Sequence, residues 1–189
     1  MGAWRDDLCS CCVYGICHPH LCLAWCCTPL ALAQVMVRMR LNWCGGHDTL
    51  ASSASTFKRV LILSIGYVIF MHVLPYFVLS LIPPDPQDAT GFTPPPSLGP
   101  FYILLGIMKG FQLAFVFYIM TAIIRTRQAV RSKYAIPEQC CPGCEDAVCA
   151  FCCGCCTIMQ MSRHTADYET YAAQCCTEDG LPSHVDATV

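Results

Sequence analysis

Of the 189 residues, 18 are cysteine, 55% are hydrophobic and only 13% are charged. So low a share of charge excludes an ordinary soluble enzyme, and so high an apolar content excludes a disordered chain. A formal net charge of −2 supplies no basic field, so no nucleic-acid partner is expected.

The chain opens on Met1-Gly2-Ala3-Trp4-Arg5-Asp6-Asp7, with early acids and no apolar run, unlike a cleavable signal peptide. Asp6 stands where an acylated Gly2 would call for Ser or Thr. Residues 1–44 form a first cysteine-rich segment. Within it Leu21–Val37 carries no charge, and Pro29 starts or kinks a helix there. A polar linker, 45–59, leads to residues 60–82, which are without a formal charge. At 1.5 Å per residue that stretch reaches roughly 34 Å, enough to cross a bilayer core. Residues 101–124 form a second such stretch, with one charge, Lys109. Between them, 83–100 holds seven prolines, two aspartates and no basic residue, and reads as an extended loop.

The other flanks are basic: Arg38, Arg40, Lys58 and Arg59 before the first span, Arg125, Arg127, Arg131 and Lys133 after the second. Positive flanks stay in the cytosol. The expected fold is an all-α membrane protein, a two-helix transmembrane hairpin with both termini cytosolic. Two apolar, cysteine-rich juxtamembrane or interfacial helical segments accompany the hairpin. The second of these lies in 125–164, where Ala147–Met161 carries no charge, and 165–189 reads as a mobile tail.

Eight cysteines fall in 1–44 and ten in 140–176, with none in the hairpin. All then face a reducing compartment, which disfavours bulk structural disulfides. Metal ligation, thiol redox chemistry and S-acylation remain. The two segments also share a spacing. Cys27 precedes Gln34 by seven residues, and Cys153 precedes Gln160 by seven. A duplicated half-site and a coincidence of cysteine-rich sequence both account for this.

The order of motifs resembles the placenta-specific-eight cysteine-rich family, which includes plant cadmium resistance proteins and cell-number regulators. The first motif half is Trp4, Leu8-Cys9, Cys17, Cys22, Cys26-Cys27-Thr28-Pro29 and Gln34. The second is Arg131-x-Lys133-Tyr134-Ala135-Ile136, Asp146, Cys152-Cys153-Gly154-Cys155-Cys156 and Gln160. The family's usual Cys-Pro-Cys element reads Cys27-Thr28-Pro29-Leu30 here. The resemblance implies membrane association and a link to divalent metal tolerance or to growth control.

Thiolates suit Zn²⁺ and Cd²⁺, and zinc is the cofactor this chemistry points to. The expected ligands are Cys22, Cys26, Cys27, Cys152, Cys153, Cys155 and Cys156. Cys9-x-Cys11, Cys141-x-x-Cys144, Cys149-x-x-Cys152, His18 and His20 are further close donors. Neighbours on a helix point about 100° apart, so both thiols of Cys155-Cys156 are not expected on one ion. The arginines after the second span read as headgroup anchors rather than as partners of thiolates.

Inside the hairpin stand His72, Lys109 and Gln112. Lys109 and Gln112 share a helix face, and His72 and Gln112 both lie about 18 Å from the cytosolic ends, within reach of a hydrogen bond. An intramembrane Lys marks a functional position. Gly106, Gly110 and Ala114 form a small-residue ridge that either closes the hairpin or joins two copies. Pro75 should kink the first span. Two helices enclose no pore, so transport requires a homo-oligomer, and a charged Lys109 repels divalent cations.

Two readings follow. One is a multi-pass membrane protein of divalent heavy-metal homeostasis, acting by binding or by oligomer-mediated flux. The other is a non-enzymatic structural or regulatory subunit of a larger membrane complex. No phosphate loop, nucleophile elbow or paired-His motif points to an enzyme.

Overall fold

Helix is the repeating structure among the described residues of the computed structural model, which are 2–10, 13, 15, 18–47, 55–80, 99–139, 141–175 and 177–182. In order these are α1 (Pro19–Cys26), α2 (Thr28–Arg38), α3 (Thr56–Val68), a π-helical turn (Ile69–Val73), α4 (Leu74–Ser80), α5 (Gly99–Tyr134) and α6 (Glu145–Thr165). An isolated antiparallel bridge joins Leu41 and His47. The proline-rich loop, apart from its last two residues, lies outside the described residues.

Thr56–Phe77 and Tyr102–Tyr134 are long and apolar enough to cross a membrane. The second helix continues ten residues beyond the expected end at Ile124, carrying the basic flank within it. The chain divides into two units, Met1–Ile62 with Tyr118–Val189, and Leu63–Phe117.

The larger unit is built around α2. Leu32, Val35 and Met36 pack with Ile158, Met159 and Met161 of α6 and with Ala122, Ile123 and Val130 of α5. A second cluster joins Ala33 of α2 to Phe57 and Val60 at the start of α3, with Leu30 and Trp43 against it. Pro29 sits in the first turn of α2, where its missing N–H costs nothing. Helices α2 and α5 close alike: the amide of Leu41 bonds to the Met36 carbonyl, and that of Ile136 to the Arg131 carbonyl. The left-handed residues between are Arg40 and Ala135, not glycine.

Where a mobile tail was expected from 165, the described residues 166–175 and 177–182 include packed side chains. Tyr168 and Leu181 are buried. Tyr168 meets Arg38 and Ser162, and Gln34 Nε2 donates to the carbonyls of Gln174 (3.1 Å), Cys175 (3.3 Å) and Thr177 (2.9 Å). Gly180 has φ +77° and lies so close to Gln34 that a Cβ would meet its Oε1 at 2.7 Å. Residues 183–189 are outside the described residues.

The smaller unit is joined by aromatic contacts. Tyr67 stacks on Phe115 with ring centroids 4.1 Å apart, and Phe70 meets Phe111 at 4.6 Å. Ile65, Val68, Ile69, Phe77, Ile103, Leu113 and Phe117 all point outward and exposed. Apolar side chains facing outward all round are the signature of lipid as solvent. Where a kink was expected at Pro75, the helix runs on through a π-turn over 69–73. Proline lacks an N–H and its ring crowds the carbonyl four residues back, Met71, which lies in that turn.

Candidate metal centre

Both cysteine pairs stand at a break in a helix, and the two breaks share a geometry. Cys27, between α1 and α2, has φ −137° and ψ 57°. Cys153, inside α6, has φ −151° and ψ 76°. A threonine hydroxyl bridges each break: Thr28 Oγ1 donates to the Ala24 carbonyl (2.8 Å), and Thr157 Oγ1 lies 2.9 Å from the carbonyls of both Cys149 and Cys153. Around the breaks the burial runs in parallel. Ala24 and Ala150 are buried, and so are Leu32 and Ile158, Gln34 and Gln160, Val35 and Met161. The spacing read in the sequence is therefore a repeated structural unit, and α2 packs directly on α6.

The break at Cys153 brings three thiols together. The sulfurs of Cys153, Cys155 and Cys156 lie within 4.8 Å of one another, all half-buried. Cys153 Sγ is 3.6 Å from Cys155 Sγ. The adjacent pair Cys155-Cys156 thus shares one site, contrary to the expectation from a regular helix. The irregular backbone at Cys153 removes the premise of that expectation. The sulfurs of a tetrahedral zinc thiolate stand about 3.8 Å apart, given bonds of roughly 2.3 Å, close to the 3.6 Å between Cys153 and Cys155, whereas Cys156 would join them as a ligand only once its bond to Cys153 is reduced. Cys153 and Cys156 are joined as a disulfide, as are Cys141 and Cys144. Both pairs are three residues apart, one in the turn before α6 and one across the non-helical backbone at Cys153, and both stand bridged despite the reducing compartment expected for them. The same trio is therefore a disulfide with a neighbouring thiol when oxidised, and a three-thiolate donor set when reduced. The reduced trio could hold a metal ion.

The other expected ligands stand apart from this trio. Cys22, Cys26, Cys27 and Cys152 are exposed thiols. His18 and His20 face each other through their Nδ1 atoms beside the Tyr168 ring. Burial, with help from His18, Arg163 and Arg38, pushes His20 down to about 4, so its ring is neutral at physiological pH.

Of the residues expected as headgroup anchors, Arg125 and Lys133 are exposed, while Arg127 and Arg131 are buried in ion pairs instead. Arg127 donates from Nε to Asp146 Oδ1 (3.0 Å) and from Nη1 to Gln160 Oε1 (2.6 Å), and its guanidinium lies 4.5 Å from the Trp4 ring centroid. Arg131 Nη1 donates to Asp146 Oδ2 (2.9 Å) and Glu138 Oε1 (3.2 Å). Arg38 donates to Tyr168 Oη and Ser162 Oγ, both at 2.9 Å. Arg163, fully buried, donates to Asp6 Oδ2 at 2.9 Å. Gln160 Nε2 holds the Asp6 carbonyl (2.9 Å), so Gln160 secures the N-terminal segment as Gln34 secures the C-terminal one. Of these, Trp4, Asp6, Arg127 and Gln160 also wall a cavity of about 380 Å³ with Asp7, Cys141, Glu145 and Cys149. Its buried charges, Arg127 and Glu145, are committed to each other.

The intramembrane residues divide. Lys109 Nζ donates to Gln112 Oε1 at 3.1 Å, as a shared face requires. Gln112 is thereby engaged, and no hydrogen bond to His72 occurs among the described residues. His72 lies in the π-turn. Gly106 and Gly110 border open space, and Ala114 is exposed. The ridge does not close the hairpin; aromatic rings do.

Trp4, Arg131, Asp146 and Gln160 had signalled themselves as motif residues, but the ionic network they form had not. Its signal was the placing of acids (Asp6, Asp146) and arginines (Arg127, Arg163) within otherwise apolar or cysteine-rich surroundings. No curated protein and no solved structure matches the chain. The profile of the PLAC8 family matches residues 4–164, a stretch that begins at Trp4, ends at His164 and holds the whole of this network, and the chain belongs to the PLAC8 family.

Proposed function

We propose that this PLAC8 protein is a non-enzymatic, multi-pass membrane protein of divalent heavy-metal homeostasis, with zinc or cadmium as the class of cargo. Both termini lie on the cytosolic side, where exposed basic residues such as Lys58, Arg59 and Arg125 flank the two spans. The observation that carries the reading is the convergence of Cys153, Cys155 and Cys156 at a helix break. Three soft thiolates favour d¹⁰ ions, and a bound ion would supply charge neutralisation to sulfurs that otherwise repel. The protein's part is to bridge the break at Cys153 through Thr157 and to keep the trio half-buried, with Gly154 between them set against Ile123 of α5.

Two spans enclose no channel, so movement of metal requires several copies. The Gly106, Gly110 and Ala114 face, uncovered in the single chain, suits close helix–helix contact between them. Lys109 beside that face disfavours a cation path along it, which weights the reading toward capture over conduction.

The test is elemental analysis of protein purified under reducing, anaerobic conditions. About one equivalent of zinc or cadmium per chain is expected, as for a single thiolate site. It should vanish when Cys153, Cys155 and Cys156 are together replaced by serine. Helical protein that is metal-free under these conditions overturns the reading.

The uncovered ridge equally favours a second reading, a subunit docked in a larger membrane complex. Its mark is a stoichiometric partner that is lost on Gly106→Leu with Gly110→Leu.

A further inference from the structure

The repeated unit presents one feature that metal binding does not use. Two residues before each break stands an aromatic ring turned outward: Trp25 is 76% exposed and Phe151 is 83% exposed. Their preceding neighbours, Ala24 and Ala150, are each 1% exposed. The same register therefore buries a small residue and displays a large ring in both halves. A surface ring left in water forfeits the burial that makes aromatics stabilising, and to do so twice at matched positions points to a shared occupant.

Each unit also meets a span where its charge ends. Leu30, three residues beyond Cys27, packs in the cluster of Phe57 and Val60, on either side of Lys58 and Arg59. Gly154, next after Cys153, faces Ile123, with a Cβ position 3.3 Å from its Cδ1. Ile123 is two residues short of Arg125. Both breaks are thus packed at the boundary between apolar span and basic flank. That boundary is the headgroup level of a bilayer crossed by these helices, and aromatic residues are favoured there.

We propose that Trp25 and Phe151 are paired anchors in the membrane leaflet at the basic ends of the spans, inserted from α1 and from the first half of α6. The occupant of this exposed face is the headgroup and upper acyl region of the lipid. The exposed, uncharged neighbours Cys22, Cys26, Val148 and Cys152 suit the same place. The inference rests on the spans crossing a bilayer and is independent of any metal.

The experiment uses the full chain in phosphatidylcholine vesicles, with and without lipid brominated near the top of the acyl chain. Trp4 and Trp43 give a constant background, and Trp25→Phe isolates the Trp25 contribution by difference. That contribution should be blue-shifted, lose most of its intensity to bromolipid and resist aqueous iodide. Phe151→Trp in the Trp25→Phe background should restore bromolipid-sensitive emission. Phe151→Trp in the native background should add to it, should the first variant lose helicity. Quenching by iodide without bromolipid overturns the proposal. So does emission that resists both quenchers and red-shifts as the protein is diluted in lipid, since that places a second copy on this face. Protein that fails to float with the vesicles overturns it as well.

Discussion

The two units differ in what they bury. The larger one buries charge: Arg127, Arg131, Arg163, Glu145 and Asp146 all lie in its interior, with the amides Gln34 and Gln160. The smaller one leaves isoleucine, leucine and phenylalanine outward along both helices. In water this would be an inverted arrangement. It follows once lipid surrounds the second region, because apolar surface there has no water to escape, and contact rests on ring packing such as Tyr67 on Phe115. Cohesion in the larger unit comes from its apolar core together with buried ion pairs and hydrogen bonds, which are specific in geometry and costly to break singly. The prosaic consequence is that substitutions of similar size should weigh far more heavily in one unit than in the other.

The largest effect is expected at Asp146, whose two oxygens join Arg127 to Arg131. Asp146→Ala leaves two buried guanidiniums short of a partner and should cost about 3–5 kcal/mol. Thermal unfolding in detergent micelles reads this directly. Lys109→Met, which removes the exposed pair with Gln112, should leave the midpoint nearly unmoved. Comparable losses at the two positions would erase the contrast.

Next comes Gln34, which holds three carbonyls of the C-terminal segment. Gln34→Ala strands those acceptors and should cost about 1–3 kcal/mol. Limited proteolysis should then cut first between 169 and 182, ahead of any loss of helicity. Cutting at an unchanged rate would show that Tyr168 and Leu181 alone hold the segment.

Acid acts on the same unit. Burial holds His20 down to about 4, with the charges of His18, Arg163 and Arg38 adding to the effect. His164 is also lowered, by burial and by Arg5, with Asp6 opposing. The unfolded chain takes up these protons near 6.5, before the folded chain does. Stability is therefore complete above that pH and declines as pH falls from 6.5 toward 4. Melting measured across this range should show the decline, and His20→Gln should flatten it.

How much of this was legible depends on the length scale of each signal. The spans were readable because a lipid-facing helix must be apolar all round, which single-residue chemistry reveals. The break at Cys153 was not, since nothing in Cys-Cys-Gly-Cys-Cys specifies the backbone of its second residue; only the match with Cys27, seven residues before its own glutamine, hinted at it. The roles of Arg127 and Arg131 were hidden for a related reason. Basic residues after a span are ordinarily drawn to headgroups, and only the approach of Asp146 from another helix turns them inward. The tail was read as mobile because its own composition is polar, whereas one group that orders it, Gln34, lies 140 residues away from Gln174.

The smallest shift expected away from zero is at Ala135, which follows the end of α5 at φ +52°. This left-handed conformation disfavours a Cβ, and an exposed position makes few contacts to lose. Ala135→Gly should therefore stabilise the larger unit, by about 0.5–1 kcal/mol. The sign is what matters. A glycine elsewhere in α5, as at Ala129→Gly, removes a buried methyl and loosens the helix, so it should destabilise. Opposite signs for the same substitution six residues apart would confirm that the helix terminates at Tyr134 with the Ile136 amide turned back to Arg131. Equal signs would mean that the helix runs on, and that Arg131 is presented to Asp146 by some other geometry.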